Sequence, residues 1–223
     1  MIIHRDTIQG SDEWLALRRG ILTASEMHNI VTPTLKAASN DRARAHMHEL
    51  LAQRITGHVE PMFVSDDMLR GHNDEIEARA LYARHHAPVE EVGFITEDRW
   101  GFTIGYSPDG LVGDDGLIEC KSRRQKYQIA TILSGAMPDD YMVQIQTGLL
   151  VTGRQWCDFV SYCGGLPMVV IRVPANPAAQ KAILAAAEAF EAALAGASEA
   201  FAEQVARRGY IATERLIEKE LYL

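Results

Sequence analysis

Cysteine is scarce, and the way it is spaced is informative. Cys120, Cys157 and Cys163 are the whole complement of the 223 residues, odd in number and without a Cys-x-x-Cys pair. Neither a disulfide framework nor a thiolate zinc site is expected, and buried free thiols in a reducing cytosol are. His46 and His48 stand two apart on a helical pattern, where they diverge and do not converge on a metal. No apolar run approaches the roughly 18 residues that cross a bilayer, and the chain turns polar at His4, so a soluble, unexported protein is expected. No Gly-x-x-x-x-Gly-Lys-Ser/Thr sequence is present to cradle a nucleotide, and there is no internal repeat or low-complexity linker. Positive charge is also short. With 22 Lys and Arg against 30 Asp and Glu, the net charge of −8 excludes a protein that coats nucleic acid non-specifically but leaves room for a local channel.

What is present is enough for one well-buried unit, and the length favours one domain over two. Ser11 caps a short helix to Leu17 with Asp12 and Glu13 in its first turn, and Thr23-Ala24-Ser25-Glu26 has the form of a capping box opening a second helix through Ile30. Helical spacing continues over 40–56 and 65–86, and again over 123–132 and 141–151. Strand patterns fall at 92–96, 102–106 and 117–121, expected as an antiparallel meander, and return at 156–162 and 168–173. From 176 to about 206 the chain is Ala-rich, with Ile183, Phe190, Leu194, Phe201 and Val205 in one stripe. The fold class is therefore α/β, an α+β mixed sheet flanked by helices, with one domain over 1–206 and a tail over 207–223.

The stretch Ser107–Lys121 carries the chemistry. Pro108-Asp109-Gly110 is a turn, and after the turn at Asp114-Asp115-Gly116 the run Leu117 to Lys121 alternates as a strand. Glu119 and Lys121 then share one face, Cys120 faces the other way, and the Cys120 carbonyl is free to turn to the site edge. Asp109, Glu119 and one carbonyl make a hard oxygen set suited to magnesium, with Lys121 supplying positive charge beside a phosphate. The same residues also fit a hairpin ending in a solvated charge pair. Basic clusters at Arg18-Arg19, at Arg42 and Arg44, and over Lys121–Lys126 read either as solvated faces or as one DNA-facing side, with the third favoured by its position next to Lys121.

Seven motifs occur in a fixed order: Gln9-Gly10-Ser11-Asp12-Glu13-Trp14, Leu17-Arg18-Arg19-Gly20, Thr23-Ala24-Ser25-Glu26, Gly71-x-x-x-Glu75, Ser107-Pro108-Asp109-Gly110, Glu119-x-Lys121 and Gln144-x-Gln146. Together they resemble the phage lambda exonuclease family, over most of the chain. The resemblance implies a restriction-endonuclease-like PD-(D/E)xK core and a metal-dependent 5′-to-3′ deoxyribonuclease. Such an enzyme degrades the 5′-ended strand of linear duplex DNA to mononucleotides and leaves a 3′ tail for recombination by strand annealing. It implies that Asp109, Glu119, Glu75 and the Cys120 backbone carbonyl hold Mg2+, two ions with Mn2+ as a substitute. Lys121 is then the catalytic lysine, and Arg18, Ser25, Ser107 and Gln144 form a pocket for the 5′-phosphate. It further implies a homotrimeric ring around DNA ends, a single-strand annealing partner, no membrane, and a phage or prophage protein in the cytoplasm of a bacterial host. Cys120 stands where an aliphatic residue is usual, and the basic run after Lys121 is heavier than the family pattern. A restriction-like endonuclease and a catalytically silent DNA-end-binding module are the rival readings.

Overall fold

The computed structural model describes residues 1–61 and 65–215. One sheet is built from β1 (Ile2–His4), β2 (Leu22–Thr23), β3 (Phe94–Glu97) and β4 (Ile104–Tyr106). Its order is β1-β3-β4-β2, antiparallel except that β2 runs parallel to β4. The other is built from β5 (Gly110–Val112), β6 (Gly116–Ser122), β7 (Trp156–Tyr162) and β8 (Val169–Pro174), in that order. There β6 and β7 are parallel and the outer pairs antiparallel. The helices are α1 (Asp12–Arg18), α2 (Asp41–Thr56), α3 (Asp66–His85), α4 (Gln125–Ser134), α5 (Met142–Thr152) and α6 (Pro177–Arg208).

The α/β class is as expected, but the sheet is two sheets, and the expected three-strand meander is split between them. β3 and β4 pair, whereas the 117–121 strand lies in the second sheet as part of β6. The reason is the crossover: α4 and α5 intervene between β6 and β7, and a connection of that length returns the chain parallel to the strand it left. β6 and β7 thereby become the buried centre, with Leu117, Ile118, Cys157, Phe159 and Val160 fully enclosed.

Caps set most helix ends. Ser11, Asn40 and Ser65 accept the N–H three residues ahead, and Asn176 accepts two at the start of α6 next to Pro177. The capping box at Thr23 does not open an α-helix. Thr23 is instead held in β2 opposite Gly105, its hydroxyl bonds the Glu26 carboxylate at 2.6 Å, and only a single 3-10 turn, Met27–Asn29, follows. α4 starts two residues later than its pattern suggests because Arg124 is extended. On α6 the buried stripe runs through Ile183, Ala186, Ala187, Phe190 and Leu194 but stops there, and Phe201 and Val205 are exposed. α6 packs on α2 and α5 and outruns both. The expected tail over 207–223 begins inside α6, runs on as exposed chain over 209–215 and then lies outside the described residues. All three cysteines are buried and unpaired, and His46 is buried while His48 is exposed.

Gly148 positions α5 over the first sheet. A β-carbon there would stand 2.7 Å from the Tyr106 ring, so the helix can approach only because the side chain is missing. Gly148→Val is expected to destabilise the protein by about 2–3 kcal/mol, in the range of core overpacking. Chemical denaturation tests this, and an unchanged midpoint would show that Tyr106 is not clamped by the helix.

Candidate active site

β5 pairs with β6 only as far as Ile118. Beyond that point the outer edge of β6 has lost its partner strand, and the side chain of Asp109 replaces it, Oδ2 accepting the Cys120 N–H at 2.5 Å. The N–H and C=O of one strand residue leave by the same edge, so the Cys120 carbonyl also faces Asp109. The Cys120 side chain packs inward with Ala78, Tyr82, Val112, Ile118 and Val160. Alternation puts Glu119 and Lys121 together on the opposite face, Nζ to Oε1 at 2.6 Å. Glu119 is only 1 % exposed, and neutral donors complete its shell: the Tyr106 hydroxyl to Oε2 at 3.0 Å and the Gln144 amide to Oε1.

The electrostatics of this cluster are tense. Burial, then the charges of Glu119 and Glu75, push the Asp109 carboxyl well above the usual carboxylate range, against the pull of Lys121 and the Cys120 N–H. Burial alone would lower the Lys121 ammonium, but Glu119 and Asp109 outweigh it and raise its pKa. Lys121 is therefore a fixed cation and a donor, not a base, at neutral pH. The Tyr106 phenol is held neutral by burial and by Glu119.

Glu75, on α3, is adjacent but turned aside. Its Oε1 pairs with Arg79 one helical turn on at 2.9 Å, and Arg79 also donates to the Asp109 carbonyl at 3.1 Å and pairs with Glu91 at 2.9 Å. Glu75 and Asp109 both line a cleft of about 280 Å3 with Gln9, His72 and Arg79. Among the described residues, no three His, Cys, Asp or Glu side chains converge tightly enough to hold a metal ion as they stand. The donor set nonetheless fits a hard divalent cation. It is all oxygen, two of its carboxylates are buried against each other, and the crowding of negative charge on Asp109 is what a cation relieves.

Of the four residues expected at a phosphate pocket, Arg18, Ser25 and Ser107 are linked through Trp14. Arg18 stacks on the Trp14 ring with its carbon 4.3 Å from the centroid. Its Nη2 reaches Thr23 Oγ1 at 3.3 Å and Ser25 Oγ at 3.4 Å, with Glu26 at 3.7 Å. The Trp14 indole N–H donates to Ser107 Oγ at 2.9 Å, which ties Arg18 and Ser25 to the strand end before Asp109. Burial lowers the Arg18 pKa, with Glu26 partly opposing. Gln144 stands instead with the carboxylate cluster, its amide donating to Glu119, whereas Gln146 is structural, bonding Pro174 and Asn176. Trp14 is the link between two polar clusters. Arg79 was not singled out, although its i+4 spacing from Glu75 was a usable signal. Tyr106 carries no signal in sequence.

A model of the YqaJ-like viral recombinase domain matches residues 13–155. No curated protein sequence matches the chain. Among solved structures, the alkaline exonuclease LHK-Exo from Laribacter hongkongensis is 36% identical with a TM-score of 0.79, covering 89% of this chain and 100% of its own. The same enzyme in complex with dAMP matches at 38% identity and the same TM-score over the same shares. A phage-related exonuclease from Haemophilus somnus 129PT, at 13% identity and a TM-score of 0.56 over 78% of this chain and 94% of its own, shares the fold.

The raised Asp109 value fixes a pH dependence. The folded chain binds the extra proton, so this contribution to stability is full below the ordinary carboxylate value of about 4 and is lost as pH rises towards the folded value. In EDTA at neutral pH, Asp109→Asn is expected to melt higher than the parent and to lose stability less steeply with rising pH. A lower melting temperature with an unchanged slope would contradict the crowding.

Proposed function

We propose that this chain, which belongs to the YqaJ-like viral recombinase family, is a Mg2+-dependent 5′-to-3′ exonuclease acting on the ends of linear duplex DNA. The chain is a nuclease of the recombination exonuclease type, as its 36% identity to an alkaline exonuclease across that enzyme's whole length indicates. The observation that carries the 5′-end reading is the joining of two clusters. The Asp109, Glu119 and Lys121 group connects through Ser107 and Trp14 to the Arg18 and Ser25 group.

In this reading Asp109, Glu119 and the Cys120 carbonyl hold the cation, and Glu75 completes the set when released from Arg79. A bound divalent cation supplies Lewis-acid activation of the phosphodiester and the attacking water. Lys121, held as an ammonium, orients that water and offsets charge gathering on the phosphate. Arg18 grips the terminal 5′-phosphate through its fork of donors, and the Ser25 and Ser107 hydroxyls and the Gln144 amide add neutral ones. Each cleavage exposes a new 5′-phosphate, so attraction to that pocket draws the strand forward without ATP. The remaining features rest on the resemblance to the lambda exonuclease family. They are mononucleotide products, two Mg2+ with Mn2+ as a substitute, a homotrimeric ring, a single-strand annealing partner for the 3′ tail, and a phage or prophage setting in the host cytoplasm. Among the described residues no helix is long and apolar enough to cross a membrane.

The test is digestion in Mg2+ of a linear duplex carrying a 5′-phosphate on one strand, with closed circular DNA as control. Loss of the phosphorylated strand alone, with the circle intact, is expected. Nicking of the circle would replace the reading with an endonuclease. Asp109→Ala and Lys121→Ala are each expected to abolish digestion while end binding persists, and full activity in either would remove that residue from the site. Arg18→Ala is expected to weaken the preference for 5′-phosphate over 5′-hydroxyl ends by about 10- to 100-fold, the scale of a charge-assisted hydrogen bond. An unchanged preference would place the pocket elsewhere.

A further inference from the structure

The basic run after Lys121 has no part in the chemistry above, yet it is not an ordinary solvated face. Arg123 is half-buried, its Nη1 donates to the Tyr141 hydroxyl at 2.5 Å, and its guanidinium carbon lies 5.4 Å from the Tyr141 ring centre and 5.3 Å from that of Tyr127. Its Nε is buried with no hydrogen-bond partner among the described residues. A half-buried guanidinium with one N–H lacking an acceptor is poorly compensated, and an anion close to its charge offsets part of that cost. The residue lines a groove of about 630 Å3 together with Arg70, Asp74, Arg124 and Lys126. Asp74, the acid of that set among the described residues, is already engaged by the Ser122 hydroxyl at 2.5 Å and faces Arg70 at 3.9 Å.

Beside the groove stands Tyr127, 47% exposed, with the Lys126 ammonium 4.8 Å from its ring centre. An exposed aromatic ring with cations beside it is the arrangement on which unstacked bases settle while the neighbouring charges meet the backbone. Arg123 also links the groove to the active site, because Tyr141, which it contacts, lies 5.6 Å from the Lys121 ammonium.

We propose that this groove binds single-stranded DNA beside the cleavage site, with backbone phosphates on Arg123 and Lys126 and a base stacked on Tyr127. Which strand it holds rests on the exonuclease reading: the 3′-ended strand left unpaired as its complement is digested. The strand's phosphates meet the positive charge that Arg123 and Lys126 bring to the groove, and the aromatic platform selects a strand whose bases are free over an intact duplex, whose bases are stacked on each other.

The experiment is fluorescence anisotropy of a labelled oligothymidylate lacking a 5′-phosphate, titrated with the full chain in EDTA across a range of salt. Arg123→Gln, Lys126→Gln and Tyr127→Ala are compared with Lys181→Gln, an exposed change on α6, after thermal melts confirm folding. Tyr127→Ala is expected to weaken binding about ten-fold, as loss of one stacked base does. Lys126→Gln is expected to reduce the slope of log affinity against log salt by about 0.7, the value for one single-strand phosphate contact. Lys126 and Tyr127 are exposed, so the test stands even where Arg123→Gln folds poorly. Unchanged affinity and slope in both exposed variants, or an equal loss in Lys181→Gln, would overturn the proposal. Because the assay needs neither metal nor a 5′-phosphate, a protein that binds through this groove but fails to digest duplex ends would refute the exonuclease reading alone. One that digests ends without using the groove would refute this proposal alone.

Discussion

The site depends on a strand that stops early. β5 leaves β6 after Ile118, and the exposed edge is closed by one side chain, with Asp109 accepting the Cys120 N–H at 2.5 Å. That bond fixes Asp109 against Glu119 and turns the Cys120 carbonyl to the same edge, so an oxygen-lined corner forms at the end of a hairpin. A sheet edge left open would expose unpaired backbone groups to another chain. Here the same open edge becomes the place where a carboxylate, a carbonyl and a lysine meet.

Such a corner concentrates negative charge, and the surrounding structure answers it unequally. Glu119 is well supplied, with Lys121, Gln144 and Tyr106 all donating to it. Gly148 allows α5, which carries Gln144, to lie against the Tyr106 ring. Asp109 has less, and its carboxyl is driven towards the neutral form. Glu75 is occupied by Arg79, which also grips the Asp109 carbonyl and so links α3 to the turn before β5. The arrangement is one in which scaffold and reactive groups are the same residues. Polar groups are kept satisfied in the buried state, yet one carboxylate pair stays under-compensated in a way that favours a cation.

Much of the site was legible because it is local. Asp109 and Glu119 to Lys121 sit on a turn and a strand whose alternation alone places Glu119 and Lys121 on one face, and the structure shows that contact. Arg18, Ser25, Ser107 and Gln144, by contrast, come from four separate segments. Only an ordered set of motifs could group them, since no period or spacing says that Trp14 bridges to Ser107. The fold was legible as α/β, but strand partnership was not. Pairing is a long-range property, so Leu22 and Thr23, too few to show alternation, form a strand only because β4 lies beside them. The Thr23 capping box failed for the same reason, as its side chains do bond each other but the backbone is claimed by the sheet. The α6 stripe was over-read beyond Leu194 because periodicity shows which residues share a face and not how far a neighbour extends.

The central claim is that Asp109 and Glu119 form a divalent cation site, and calorimetric titration of Mg2+ and Mn2+ into the metal-free protein tests it most directly. Binding by the parent chain is expected, with loss of that binding in Asp109→Asn and Glu119→Gln. Equal affinity in the parent and both variants would contradict it.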